Sequence, residues 1–234
     1  EIFHYIQDSR GHQNQEISRN FKINCGLPKG GGVCVALLRE GFPRSFAQMF
    51  SLLQRWDAAD PHELHTLQQR LTSAETAERH EAYDNHMFLA RFFTEPEDKW
   101  LKHHFIQLAL HSARKFKMDS GKREAEANLH MGQVYLEKGQ LERAQEHYEV
   151  FYHLTMGRTW QDPSGRMHHS RSCEELQKLF TLLGQRLLQE QDYTHAIKMF
   201  NKAYQMAKEC MHTLFTLTCL QTINSIQTSF FVSN

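Results

Sequence analysis

The sequence lacks an excess of charge of either sign. Its 234 residues contain 27 Lys plus Arg and 27 Asp plus Glu, so the formal net charge is zero. A basic protein attracts nucleic acid and anionic lipid through its net field, and a neutral chain has no such field. We therefore expect neither a nucleic acid nor a membrane as partner, although a net charge of zero does not exclude a local charged patch.

Cysteines are few, and their spacing is not that of a metal or redox motif. The five are Cys25, Cys34, Cys173, Cys210 and Cys219. An odd number without a CxxC pair predicts free thiols in a reducing compartment. The absence of any Asn-x-Ser/Thr acceptor agrees with an intracellular location. There is also no apolar run of 20 residues and no signal-peptide pattern, so no membrane-spanning helix is predicted.

Catalytic and phosphate-binding motifs are absent as well. The glycine run at Gly30–Gly32 follows Lys29 and is followed by Val33, whereas a phosphate loop ends in Gly-Lys-Ser/Thr. No nucleophile elbow and no setting for paired carboxylates is present. We therefore predict that the chain is not an enzyme and that it has no cofactor.

The 16 histidines do not form a local metal motif. His62 and His65 are one residue short of the HExxH spacing, and no Cys or Asp completes a tetrahedral set beside them. The adjacent pairs at positions 103–104 and 168–169 point apart on a helix. The sequence therefore predicts no metal site.

Helical periodicity is what the sequence has in abundance. Apolar residues recur at helical spacing from Val33 onwards, and no stretch alternates as a strand would, which predicts an all-α chain. Predicted helices cover 33–38, 44–57, a segment opened by Asp60-Pro61, 79–93 with Phe88 buried, and 99–117. The predicted organisation is an irregular N-terminal arm at 1–32, a helical array at 33–209 with an inserted loop at about 157–169, and an atypical tail at 210–234.

Two segments share a pattern of small and bulky positions typical of a 34-residue helical hairpin. The first copy has Met131, Gly132, Tyr135, Gly139, Ala144, Tyr148 and Phe151, and the second has Leu183, Gly184, Leu187, Tyr193, Ala196, Phe200 and Ala203. The small residues allow two helices to approach closely, and the bulky ones fill the gaps between hairpins. Gly132 and Gly184 are 52 residues apart, and the 18 residues beyond one period fit the inserted loop.

This pattern resembles the tetratricopeptide-repeat family, in which helical hairpins stack into an α-solenoid. Further segments are similar to a ciliary member of that family; they lie at 38–42, 45–46, 54–58, 97–100, 121–127, 147–149 and 157–160. The resemblance implies an axonemal protein in the cytoplasm and cytoskeleton of motile cilia and sperm flagella. It also implies a non-catalytic scaffold that associates with an inner dynein arm or doublet microtubule proteins. The alternative is a cytosolic peptide-binding adaptor linked to chaperones or intraflagellar transport.

In such arrays, residues of the first helix of each hairpin line the binding groove. The predicted partner-binding residues in the first copy are Glu126, Leu129, His130, Gln133 and Glu137. Those in the second copy are Lys178, Thr181, Leu182, Gln185 and Gln189. Chaperone-binding members carry Lys and Asn where this chain has Leu129 and Gln133, so a clamp for a terminal carboxylate is not supported. A solvated face without a partner is the alternative.

Two further segments have two interpretations each. Trp160 in the inserted loop is either a partner contact or a side chain that folds back onto the hairpins. The tail from Cys210 to Asn234 contains no Asp, Glu, Lys or Arg. It is either the product of an alternative or misannotated exon, with a β-prone and aggregation-prone composition, or a final apolar helix that caps the stack.

Overall fold

The computed structural model describes residues 31–56, 60–76, 79–115, 118–210 and 213–232. These residues are helical apart from turns and one isolated bridge between Gln161 and Met167. The predicted all-α class is confirmed. The α-helices are α1 (Gly31–Arg39), α2 (Pro43–Leu53), α3 (Pro61–Thr76), α4 (Arg79–Phe92), α5 (Lys99–Lys115), α6 (Lys122–Glu137), α7 (Leu141–Thr155), α8 (His168–Gln189), α9 (Tyr193–Glu209) and α10 (Thr213–Val232). A single 3₁₀ turn, Pro96–Asp98, precedes α5.

The chain divides into two compact units, Glu1–Ser112 and Ala113–Asn234. The first contains α1 to α4 and most of α5, and the second contains the end of α5 and α6 to α10. Within the described residues, no helix is both long enough and apolar enough to cross a bilayer.

Side-chain caps fix the helix ends of the first unit. The carboxylate of Glu75, on α3, accepts hydrogen bonds at the start of α2 from Arg44 N at 3.0 Å and from Ser45 N at 2.7 Å. The backbone N–H of His62 donates to Asp60 Oδ1 at 2.8 Å, which is the cap predicted at the start of α3. These carboxylates satisfy N–H groups that have no partner within their own helix.

Aromatic rings form the centre of the first unit. The Trp56 ring meets Phe93 edge-on at 5.3 Å between centroids, and Phe93 stacks on Phe105 at 5.9 Å. Phe88 lies at the edge of this group, stacked on Phe92 with 6.2 Å between ring centroids, and its predicted burial is wrong. Its side chain is 40% exposed, because it faces outward under the guanidinium of Arg70, 3.8 Å from the ring centroid.

Several predicted boundaries shift. Gly31 and Gly32 belong to α1 rather than to the N-terminal arm, and the rest of that arm lies outside the described residues. The helix predicted to reach Asp57 ends at Leu53, and Asp57 lies outside the described residues. The inserted loop ends at Met167, because α8 already begins at His168.

The second unit contains two helical hairpins, α6 with α7 and α8 with α9, named here the first and second repeats. Gly139 has φ +70° at the turn of the first repeat, as the sequence predicts, and Gln191 has φ +63° at the turn of the second. A Cβ on Gly132 would lie 2.4 Å from Cε1 of Tyr148, and one on Gly184 would lie 2.9 Å from the Phe200 ring. Each glycine therefore accommodates the bulky ring of its own hairpin partner.

The tail forms α10, which agrees with the capping-helix interpretation. Its residues Ile223 and Ile226 are 6% and 8% exposed and pack with Ala196 and Phe200 of α9. Partly buried side chains of the second repeat, Leu187, Leu188 and Ile197, surround this contact. Residues 213–232 are helical despite their β-prone composition, and the origin of the tail in an alternative or misannotated exon stays a prediction.

Candidate protein-binding face

The first helix of each repeat carries a row of predicted partner-binding residues at spacings of four, three and four. On α6 the row is Glu126, His130, Gln133 and Glu137, and on α8 it is Lys178, Leu182, Gln185 and Gln189. Residues at these spacings lie on one side of a helix. The two rows are therefore equivalent in sequence, but their surroundings differ.

On α6 three residues of the row, Glu126, His130 and Gln133, are half-buried, and Glu137 is exposed. Glu126 Oε1 lies 4.0 Å from Lys122 Nζ and 3.3 Å from His168 Nε2 of α8. The ring of His130 is hydrogen-bonded to the side chain of Gln133, with 3.1 Å between Nδ1 and Oε1. Leu129 is only 2% exposed, so its predicted place on a partner-facing surface is wrong.

On α8 the row is open. Gln185 and Gln189 are exposed, Leu182 is 40% exposed, and the Lys178 side chain is 53% exposed beside Glu175 at 3.6 Å. Thr181, also predicted here, instead bonds within its helix, donating to the Gln177 carbonyl at 2.9 Å. We call Lys178, Leu182, Gln185 and Gln189 the α8 face.

One ion pair fixes the orientation of the α8 face relative to the first repeat. The guanidinium of Arg186 donates to the carboxylate of Glu142, in the first turn of α7. That hydrogen bond is the main reason why the pKa of Glu142 is lowered. The pair joins one repeat to the next beside Gln185, so the α8 face is held on a supported helix.

A buried polar contact holds the first repeat together. Asn128 is fully buried, and its Oδ1 lies 2.8 Å from Nδ1 of His147 on α7, while its Nδ2 donates to the Glu124 carbonyl at 2.8 Å. Burial is the main cause of the lowered pKa of His147, followed by the nearby charge of Arg114. The neutral imidazole is therefore favoured at this contact.

Trp160 is half-buried, with the guanidinium of Arg158 5.4 Å from its ring centroid. Its carbonyl accepts a hydrogen bond from the His168 N–H, the first residue of α8, at 2.9 Å. The loop is therefore tied to the second repeat at Trp160. The remaining exposed part of the ring leaves its predicted role as a partner contact open to test.

Two segments of the second unit match the family model described as "Tetratricopeptide repeat". The matched residues are 125–149, within α6 and α7, and 177–210, within α8 and α9. The chain is a tetratricopeptide-repeat protein. Helical hairpins of this family are modules for protein–protein interaction, so the open α8 face is a surface of the kind used for binding another protein.

Curated relatives of this tetratricopeptide-repeat protein carry a single name. This chain is 37% identical over 235 aligned residues to tetratricopeptide repeat protein 29 of Macaca fascicularis and of Homo sapiens. The alignment covers 89% of this chain and 48% of each relative. The chain is 42% identical over 199 residues to the Rattus norvegicus protein of the same name, an alignment that covers 76% of this chain and 42% of the relative. The chain spans about half the length of the curated relatives it matches.

Sequence reasoning missed a cluster that only the fold assembles. Nε2 of His169 lies 3.0 Å from Glu209 Oε1 and 4.0 Å from Cys173 Sγ. The thiol of Cys210 is next to that of Cys173, and a hydrogen bond between the two thiols raises the pKa of Cys173 and lowers that of Cys210. The sequence does have His169 and Cys173 at i, i+4 spacing. Because His169 falls within the predicted loop at 157–169, the sequence does not predict that the two residues share a helix.

Proposed function

We propose that this tetratricopeptide-repeat protein is a non-catalytic scaffold of the axoneme in motile cilia and sperm flagella. It supports motility there by helping to seat an inner dynein arm on the doublet microtubule. The segment resemblances to a ciliary family member, which extend from Val33 to Glu209, support the axonemal role. The similarity to proteins named tetratricopeptide repeat protein 29 supports the role as a repeat scaffold.

The observation that carries the proposed mode of action is the openness of the α8 face. Its four side chains are exposed, whereas three of the four in the equivalent row on α6 are half-buried and make contacts within the chain. Three of the four residues are uncharged. Leu182, which is 40% exposed, is the apolar residue at the centre of the face. Such a surface suits a polypeptide partner that covers Leu182 and hydrogen-bonds to the flanking glutamines.

Binding alone accounts for this function. Seating a dynein arm requires complementary contacts and no bond making. Affinity comes from the apolar area covered and from hydrogen bonds formed on a helix that is already in place. The Glu142–Arg186 ion pair contributes by holding that helix against the first repeat.

The test is rebinding of the purified chain to demembranated axonemes from which the endogenous protein is missing. We expect the wild-type chain to bind and to be retained together with an inner-arm dynein heavy chain. Replacement of Leu182→Asp places a charge at the centre of the interface, and we expect binding at least about tenfold weaker, as for loss of an interface hot spot.

Leu220→Asp is the matched control, because Leu220 is exposed to the same degree, at 39%, but lies on α10. If both variants bind as the wild type does, the α8 face is not the docking surface. If the wild-type chain stays in the soluble fraction and no dynein heavy chain depends on it, the axonemal role fails. Co-purification with chaperones or intraflagellar-transport proteins instead would favour the adaptor alternative.

A further inference from the structure

We propose that His169, Cys173 and Glu209, with Cys210 as the fourth ligand, form a zinc site in the second repeat. His169 and Cys173 lie one turn apart near the start of α8, and Glu209 and Cys210 lie at the end of α9. The antiparallel pairing of the two helices brings these ends together. A thiolate, an imidazole and a carboxylate are the donor groups that Zn²⁺ accepts in proteins.

The distances suit a tetrahedral ion. The imidazole nitrogen, the Cys173 sulfur and a carboxylate oxygen of Glu209 all lie within 4.8 Å of one another. Zinc–ligand bonds of about 2.0–2.3 Å at tetrahedral angles place the ligand atoms about 3.3–3.8 Å apart. His169 Nε2 and Glu209 Oε1, at 3.0 Å, therefore have to separate slightly, whereas the Cys173 sulfur, 4.0 Å from Nε2, has to approach. Shifts of about 1 Å are enough, and small changes in side-chain torsion supply them.

Cys210 lies next to this set, but its sulfur is not within 4.8 Å of all three ligand atoms and has to move towards them to become the fourth ligand. Its Sγ lies 3.3 Å from the carbonyl of Ser170, between His169 and Cys173 in the chain, and its thiol interacts directly with that of Cys173. A cavity of about 30 Å³ opens beside the two thiols and is lined also by Met206 and Ala207. That volume holds one or two water molecules beside the sulfur atoms.

The tetratricopeptide fold does not require this cluster. The family model begins at residue 177 in the second repeat, whereas His169 and Cys173 lie on two additional turns of α8 before it. The first repeat forms a complete hairpin from an α6 of 16 residues, compared with 22 in α8. His169 and Cys173 therefore lie on a part of α8 that has no counterpart in the first repeat.

Contacts around Glu209 extend the site to a third helix. The hydroxyl of Tyr152, on α7, donates to the Glu209 carboxylate with 3.0 Å to each oxygen. Hydrogen bonds of this kind orient carboxylate ligands and are a regular part of metal sites. A bound zinc ion would therefore connect the start of α8 with the end of α9, and through Tyr152 with the first repeat.

The experiment is metal titration of the full 234-residue chain, reduced and freed of metal beforehand. With Co²⁺ as a spectroscopic substitute we expect one equivalent to bind with intense d–d bands typical of four-coordination and a thiolate-to-cobalt charge-transfer band. We expect Zn²⁺ to displace Co²⁺ and to raise Tm by several degrees, since an ion that binds only the folded state stabilises it.

Variants identify the ligands. Cys173→Ser and His169→Gln should each weaken Co²⁺ binding at least about tenfold, and Cys210→Ser should reduce the charge-transfer band. Cys219→Ser is the matched control, since Cys219 is a buried thiol on α10 that lies outside the cluster, and it should bind as the wild type does. Circular dichroism of each metal-free variant shows whether it has folded. If Cys173→Ser and His169→Gln do not fold, Cys210→Ser, which keeps the Cys173 and His169 ligands, tests the site through its charge-transfer band.

Three results would overturn the proposal. The first is the absence of a charge-transfer band at one equivalent of Co²⁺. The second is Co²⁺ binding that is unchanged in Cys173→Ser and His169→Gln, which would place the metal on other histidines. The third is formation of a Cys173–Cys210 disulfide under mild oxidation that saturating Zn²⁺ does not slow, which would make the pair a redox couple and not a ligand set.

Discussion

Gly132 and Tyr148 fit together so closely that a Cβ on the glycine would lie 2.4 Å from Cε1 of the ring. The ring is fully buried and therefore has no open space into which it can turn. The contact joins α6 to α7 and fixes the distance between them. In the second repeat, Gly184 and Phe200 have the same relationship at 2.9 Å.

We expect Gly132→Ala to destabilise the second unit by about 1–3 kcal/mol, the usual cost of overpacking a filled core. The effect should exceed that of Gly184→Ala, because the added methyl group has more room there. Urea titration followed by circular dichroism measures both. Gly32→Ala is the control, since nothing lies within 4 Å of its Cβ position. Equal stability of Gly132→Ala and wild type would show that the helices separate at little cost.

We expect Ile223→Ala to lower the free energy of unfolding by about 2–4 kcal/mol, because it leaves a cavity against Phe200. Leu217→Ala, at a position on the same helix that is 57% exposed, should have little effect. Urea denaturation of the two variants side by side makes the comparison. Similar small losses in both would mean that α10 does not pack on α9 in solution.

The first unit should lose stability as the pH falls from 6.5 towards 4. Burial, reinforced by the charges of His104 and His111, lowers the pKa of His86 from 6.5 to about 4. In that interval the unfolded chain binds a proton that the folded chain excludes, so the free energy of unfolding falls with pH. The loss attributable to His86 is about 2 kcal/mol by pH 5.

This loss is measured by urea titration at pH 7 and pH 5 with tryptophan fluorescence. A Trp160→Phe background leaves Trp56 and Trp100, both in the first unit. We expect His86→Gln to reduce the pH dependence by about 2 kcal/mol. His62→Gln, at an exposed position of the same unit, controls for removal of a histidine. An unchanged pH dependence in His86→Gln would contradict the assignment.

The inserted loop should open when Asp162 is replaced. Its Oδ1 accepts hydrogen bonds from Ser164 N at 2.9 Å, from Ser164 Oγ at 2.5 Å and from Arg166 N at 3.0 Å, and these bonds lower its pKa. Asp162→Ala removes all three, so we expect trypsin to cut after Arg158 and Arg166 several times faster. Mass spectrometry of a timed digest locates the cuts.

Ser164→Ala is the comparison for this digest, because it loses the hydroxyl bond and keeps both backbone bonds. It should be cut at a rate close to that of the wild type. Should Asp162→Ala resist trypsin as well as the wild type does, the carboxylate would not be what orders the loop.

Local packing of the repeats could be predicted from the sequence, because it depends on residue size at fixed spacing. The positions of Gly132, Tyr148, Gly184 and Phe200 predict a close approach of two helices, and the structure has it. The surface against which each bulky ring packs was less predictable. The sequence pattern assigned the bulky rings to gaps between hairpins, whereas Tyr148 and Phe200 pack against the glycine of their own hairpin.

Exposure on the candidate face could not be predicted from helix periodicity alone. His130 and Leu182 occupy equivalent positions on α6 and α8, yet His130 is half-buried and Leu182 is 40% exposed. The difference comes from neighbouring elements in the fold, about which the spacing within a single helix contains no information. The same limit hid the His169–Glu209 contact, since 40 residues separate the two side chains in the chain.

The absence of charged side chains in α10 has a consequence for how the second unit responds to ionic strength. The helix contains no Asp, Glu, Lys, Arg or His, so its packing on α9 is apolar, whereas Arg186 and Glu142 join α8 to α7 by an exposed ion pair. Added electrolyte screens such a pair but does not weaken apolar packing, and sulfate strengthens it. Concentrated sulfate should therefore tighten the C-terminal contact while it loosens the link between the two repeats.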